Sequence, residues 1–233
     1  MYITDVVKHL LIINVLMFVA GYVVGGDFLA LYYPASDVFR PYQLVTHFFM
    51  HANFMHIFFN MFALVMFGSA LEMVWGPKRF LFYYLFCAFG AAILHMFVNF
   101  LEASQLVSQL SPEAVNMVKN EGREILLSGR NYADPLMAKL NLQYNIPVVG
   151  ASGAIFGLLL AFGMLFPNQE LMLLFFPVPI KAKYFIPVLM LIELFLGVKQ
   201  FSWDNVAHFA HLGGALFGFL LILFWRSRGE RMY

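Results

Sequence analysis

Long apolar blocks separated by short polar breaks set the architecture of this chain; strand-like alternation is absent from the blocks. Residues 6–25 are apolar apart from Lys8, His9 and Asn14. About 20 such residues suffice for a helix to cross the hydrocarbon core of a bilayer. Residues 54–74 form a second block, with Asn53 as its N-cap. Trp75-Gly76-Pro77 closes it with an interfacial aromatic, a C-cap glycine and a following proline. The third block opens at Lys78-Arg79 and continues to about Phe100. Residues 152–166, 184–198 and 205–225 complete a set of six. Between the first two blocks, residues 28–52 mix aromatics with Pro34, Asp37, Arg40 and Pro41, a pattern that predicts a segment lying against the membrane interface. Pro167, Pro177 and Pro179, with Lys181 and Lys183, predict a turn between the fourth and fifth blocks.

Residues 102–146 break the pattern with nine charged residues. Ser111-Pro112-Glu113 is a helix-start signal and Ser128-Gly129 a stop, so a water-exposed loop with one short helix inside it is expected.

Composition agrees with a membrane protein. Of 233 residues, 62% are hydrophobic and 12% charged, against about a quarter charged in soluble domains. The reading is an all-α, polytopic chain of six spans, one domain over residues 1–233. The first block has full spanning length and no A-x-A-like site, so it reads as a span rather than a cleaved leader. Cys87 is the sole cysteine, which leaves no internal disulfide framework. The net charge of +1, without a basic tract, excludes no partner but offers nucleic acid no surface. Six spans put both termini on one side. Eight Lys and Arg flank that side in short segments, against Arg40 and Lys199 on the other, so the termini are assigned to the cytoplasm.

This topology makes the second, fourth and sixth spans enter from the same outer face, each carrying polar residues near its start. These are His56 and Asn60, then Ser152, then His208 and His211. At about 1.5 Å per residue, residues 152–166 cover about 22 Å of a core about 30 Å thick, which sets Ser152 roughly 8 Å below the outer boundary. Polar side chains at such depth are costly and mark function by default. Ser152 lies in Gly150-Ala151-Ser152-Gly153, at a helix N-terminus where free N–H groups and the dipole can steady an oxyanion. Taken alone, that stretch fits small-residue packing better, because Gly153 and Gly157 form a GxxxG pair. His211 is the candidate base for Ser152, since Gly214 and Gly218 would let its helix press on the Gly153/Gly157 face. Hydrogen bonding to a backbone carbonyl is the plain alternative for His211. His208, a turn nearer water, reads as solvated or structural. His56 and Asn60 share one helix face and, with the Ser152 N–H, could line an oxyanion hole; taken singly, either fits interhelical hydrogen bonding. Phe156 could hold the imidazole by stacking. No third acid is visible: Asp204 reads as a cap of the sixth helix, Glu72 lies at the far end of the second, and Glu193, mid-span, is unexplained, either structural or gate-related. The expected machinery is therefore a Ser–His dyad.

Other chemistries fit less well. His47 and His51 are four apart, with His56 and His95 as further candidates, but the H-E-x-x-H pattern of a zinc protease is missing, so no metal or other cofactor is expected. His47 and His51 read as structural donors. No repeated halves suggest a transporter.

Taken together these residues resemble the rhomboid family of intramembrane serine proteases. The resemblance rests on His51-Ala52-Asn53-Phe54-Met55-His56-Ile57-Phe58-Phe59-Asn60, on Gly150-Ala151-Ser152-Gly153, on Ala210-His211-Leu212-Gly213-Gly214 with Gly218, and on Glu72 in Gly68-Ser69-Ala70-Leu71-Glu72. It covers nearly the whole chain except residues 102–146 and implies a six-helix rhomboid-like bundle. It also implies Ser152 as nucleophile, His211 as general base, and His56, Asn60 and the Ser152 N–H as oxyanion donors. Residues 28–52 become a half-embedded first loop, and the fifth helix with residues 201–203 a substrate gate and cap. Substrates in the family are transmembrane proteins cut in or near a membrane segment. Two departures stand out: Tyr42-Gln43 replaces the Trp-Arg of many members, and Phe156 replaces a frequent Tyr. A silent relative that only binds membrane clients is the alternative; such relatives typically lack the serine or the histidine. The compact form suggests a prokaryotic plasma membrane, with the site opening to the extracytoplasmic side.

Overall fold

All six expected spans are helical in the computed structural model, which describes residues 2–173, 176–201, 204 and 206–230. Ser202 and Trp203 of the expected cap, the expected helix start at Asn205, and Arg231 lie outside the described residues. The helices are α1 (Asp5–Val24), α2 (Phe54–Trp75), α3 (Pro77–Val107), α4 (Pro112–Leu127), α5 (Pro135–Asn145), α6 (Ser152–Leu165), α7 (Ala182–Lys199) and α8 (His208–Ser227). By length and composition α1, α2, α3 and α8 can each cross a membrane. Helix α6 is apolar but has 14 residues, about 21 Å at the usual rise. Helix α7 has 18 residues, with Lys183 and Lys199 near its ends and Glu193 between them.

Three local expectations change. Helix α3 runs past Phe100 to Val107, so it stands well clear of a single bilayer crossing. Residues 102–146 are not a loop with one helix. Helix α4 forms where Ser111 and Pro112 predict it, the Ser111 side chain accepting from the Ala114 N–H at 3.2 Å. A second helix, α5, follows, with Asp134 capping Leu136 and Met137 and Pro135 in its first turn. The two form a hairpin with its own small core of Val115, Val118, Leu140 and Tyr144, closed on the α3 extension by Ala103 and Leu106. The turn between the fourth and fifth spans contains an antiparallel pair, β1 (Glu170–Leu173) and β2 (Phe176–Lys181), paired Glu170↔Lys181 and Leu171↔Ile180. Pro177 and Pro179 sit on β2; in a two-stranded ribbon each strand has an open edge, where a missing N–H breaks no ladder bond.

Helix α8 is the centre of the bundle, packed along its length on α3 and α6. The close approach is made at Gly214, where a Cβ would lie 1.8 Å from the Gly153 carbonyl oxygen. The expected contact between the two glycine faces thus forms at Gly214. Gly218 instead faces Tyr83 and Cys87 of α3.

At the opposite end of α2, Glu72 is buried and ties α1 to α2. Its carboxylate accepts from the Val6 and Val7 N–H groups at 3.0 Å each and, by a short bond, from the Thr4 hydroxyl. The Val6 and Val7 N–H groups lie in the first turn of α1, where they have no partner within their own helix. Glu72→Ala is expected to lower stability by about 1–3 kcal/mol for each donor left buried and unpaired, read as a fall in unfolding temperature in detergent.

Candidate active site

The site begins with an irregular strand that a membrane would tolerate only if its backbone is satisfied by protein. Residues 147–150 precede α6, and the first loop stitches them down. Leu31 and Val148 exchange both backbone hydrogen bonds, at 3.0 and 2.9 Å, and the Gly150 N–H donates to the His47 carbonyl at 2.9 Å. The first loop is itself held by Gln43, which is fully buried. Its Nε2 donates to the carbonyls of Phe28 (3.1 Å) and Val38 (3.0 Å), and its Oε1 accepts from the Arg40 N–H (3.1 Å). One side chain therefore closes the loop at the position where many family members have arginine. His47 is a structural donor as expected, its Nδ1 lying 2.6 Å from the Gln43 carbonyl oxygen. His51 is not: neither ring nitrogen finds a partner among the described residues. Burial, and then the neighbouring His56, push its imidazole down to about 4.

Gly150 adopts φ +125°, which L side chains rarely reach, and a Cβ there would fall 2.8 Å from His56 Nε2. This turn delivers Ser152 as the first residue of α6, where its N–H has no intrahelical acceptor. His211 comes from the first turn of α8. Ser152 Oγ and His211 Nε2 are 2.8 Å apart. Phe156, one turn below Ser152, stacks on the imidazole with centroids 4.1 Å apart and 6° between the planes. Beside them the two helices touch at Gly214 and Gly153, the residue after Ser152.

A cavity of about 650 Å³ opens above this pair, lined by His56, Asn60, His95, Gly150, Ser152 and His211 among others. Asn60 is buried, and its Nδ2 has no partner among the described residues. The Ala52 N–H lies 3.4 Å from His56 Nδ1; accepting there leaves the ring proton on Nε2, against Gly150. His56, Asn60 and Ser152 thus border one space.

The absence of an acid near the histidine does not hold. Glu193 of α7 places Oε2 2.8 Å from His211 Nδ1. The same oxygen is 2.7 Å from His208 Nδ1, and His208 Nε2 is 2.9 Å from Asp204 Oδ2. His208 is therefore buried in a carboxylate network, not solvated. Asp204 lies ahead of α8 and does not cap it; the residue at the cap position is Ala207. Burial works against the Asp204 charge, but the Val206 N–H at 3.0 Å and then His208 hold its carboxyl below the usual range. Glu193, His208 and His211 also have ligand atoms within 4.8 Å of one another, a spacing that a metal ion could use. Each of those atoms is already engaged in a hydrogen bond.

Comparison with known proteins gives the lineage. The Rhomboid domain model matches residues 38–228. Among curated relatives, RHOMBOID-like protein 12, mitochondrial, of Arabidopsis thaliana is 30% identical over 91% of this chain and 55% of its own length. Rhomboid protein 1, mitochondrial, of Saccharomyces cerevisiae is 27% identical over 74% of this chain and 38% of its own length. RHOMBOID-like protein 6, mitochondrial, of Arabidopsis thaliana is 29% identical over 78% and 43%. The chain spans about half or less of the length of these relatives. Their mitochondrial names overturn the expectation of a prokaryotic plasma membrane. With it falls the cytoplasmic assignment of the termini, which rested on a charge rule for that setting; the multi-pass membrane character stands. The sequence motifs, the helical bundle and the match across residues 38–228 agree, and the chain belongs to the rhomboid family.

Proposed function

We propose that this chain is an intramembrane serine endopeptidase whose rhomboid-like membrane domain cuts transmembrane proteins in or near their membrane segments. The observation that carries the reading is the 2.8 Å contact between Ser152 Oγ and His211 Nε2 at a helix N-terminus. A serine hydroxyl attacks only when a base takes its proton. In this reading the Ser152 proton passes to His211 Nε2 as Oγ bonds to the scissile carbonyl carbon. The carbonyl oxygen becomes an oxyanion held by Asn60 Nδ2, His56 Nε2–H and the Ser152 N–H. When the C–N bond breaks, His211 gives the proton to the departing amine, leaving an acyl group on Ser152. Water then repeats the sequence and frees the acid. The unpaired Asn60 amide supports this assignment, because a buried donor without a partner costs about 1–3 kcal/mol until an oxyanion arrives to accept it. The relatives' names favour a mitochondrial membrane as the setting.

A fluorophosphonate probe tests the nucleophile. Wild type is expected to gain one adduct on Ser152, read by intact mass and peptide mapping, and Asn60→Ala to react about 10²–10³-fold more slowly. Labelling at another residue, or none at all, would count against the reading.

A further inference from the structure

Glu193 takes no part in the chemistry just described, yet it is a buried acid in a helix whose outer face, including Val188, Leu191 and Val198, is more than half exposed. We propose that Glu193 is a positioning residue that extends the Ser152–His211 pair into a triad supplied by three helices, α6, α8 and α7. The inference rests on the serine protease reading.

The geometry is linear in function. Ser152 Oγ lies 2.8 Å from one ring nitrogen of His211, and Glu193 Oε2 lies 2.8 Å from the other. A carboxylate only accepts hydrogen bonds, so His211 Nδ1 carries the ring proton and donates it to Glu193. That leaves the Nε2 lone pair facing the serine, the tautomer a general base needs. Phe156 fixes the plane of the imidazole but leaves it free to turn within that plane. Hydrogen bonds at both nitrogens stop the turning. When Nε2 takes the Ser152 proton, the imidazolium forms against a negative carboxylate in a site screened from water, where such pairing is strongest.

Among the described residues, the charged groups bonded to Glu193 and to its partner His208 fit this role. His208 shares the same carboxylate oxygen, and Asp204 engages the far side of His208. A ring set between two carboxylates satisfies both only with a proton on each nitrogen. His208 then balances one negative charge and leaves the other for His211. The fold does not depend on Glu193 to seat α7. Ala182 and Ile186 pack on Phe162 of α6, and Gly197 lies against His208 and Phe209. Helix α7 can therefore dock without the carboxylate, but the base is aligned only when α7 is docked.

The test uses the full chain in detergent with a fluorogenic single-span substrate, comparing wild type, Ser152→Ala, Glu193→Gln and Glu193→Asp, with and without EDTA. An amide can donate to Nδ1 and hold the wrong tautomer, so Glu193→Gln should lose about 10²–10⁴-fold in kcat, with KM little changed. Glu193→Asp keeps the charge on a shorter stem and should recover part of that loss. Unfolding temperatures of both variants should stay close to wild type. Unchanged or faster turnover in Glu193→Gln, with Ser152→Ala inactive, would overturn the triad and leave the serine protease standing. Turnover by Ser152→Ala equal to wild type would remove the serine reading itself. Loss of wild-type activity in EDTA would assign Glu193, His208 and His211 to a metal and overturn the triad.

Discussion

Replacing His211 with alanine is expected to lower kcat by about 10⁶-fold, the loss seen when the base or nucleophile of a serine protease is removed. The effect is large because the residues work as a unit. Without the imidazole, Ser152 keeps its proton, and the three donors around the cavity have no oxyanion to hold. Ser152→Ala should cost as much, and the double variant no more than either single one. Single-turnover cleavage at saturating enzyme reads this directly. Losses that multiplied in the double variant would mean that Ser152 and His211 act separately. KM should hardly move in any of the three, since neither side chain is placed to grip the bulk of a substrate helix.

Gly214→Ala is expected to lower activity by about 10²-fold by a different route. The added methyl would sit 1.8 Å from the Gly153 carbonyl oxygen and 2.6 Å from its carbon, contacts with backbone that no rotamer change relieves. The two helices must separate. Forcing a methyl into a packed core costs about 1–3 kcal/mol, and here the displaced elements are the ones that carry Ser152 and His211. A misplacement of about 1 Å at the reacting groups can cost about 10²-fold in rate. The variant should show both a lower unfolding temperature and a fall in kcat. Gly218→Ala offers a contrast: its methyl would meet the Tyr83 hydroxyl and Cys87, so it should disturb packing on α3 more than the Ser152–His211 contact.

Much of the fold is legible because a bilayer imposes a simple length rule. Blocks of apolar residues become helices at nearly the expected limits, and the polar residues that start the second, fourth and sixth spans meet in space. What escaped has physical reasons. The phase of α7 cannot be read from its pattern, because apolar residues surround it on every side and no stripe marks the buried face. Glu193 therefore carried no sign of pointing at His211, and its partnership depends on how α7 docks through Ile186 and Gly197. Gln43 reads as an ordinary polar residue, and its value lies in two stretches of backbone, at Phe28 and at Val38–Arg40, that only the folded loop brings within reach. The β-ribbon at residues 170–181 was hidden by its prolines, which a central strand would not accept. Helix α5 was legible and missed: Asp134-Pro135 is the same kind of start signal as Ser111-Pro112.

Helix α7 also differs from its neighbours in how it is held. It is seated by small apolar contacts, whereas α8 is locked between α3 and α6. If the base is aligned only while α7 is docked, and α7 is the gate that the rhomboid resemblance implies, one helix would both admit substrate and switch the chemistry on. That coupling would suit an enzyme that has to admit water and a peptide bond into a membrane without leaving an active base permanently exposed.

The most direct test of the account is cleavage of a single-span substrate by purified protein, wild type against Ser152→Ala, each with and without EDTA. Cleavage by the wild type, unaffected by EDTA, and none by Ser152→Ala is the expected result. Cleavage that survives the loss of Ser152, or that EDTA abolishes, would contradict it.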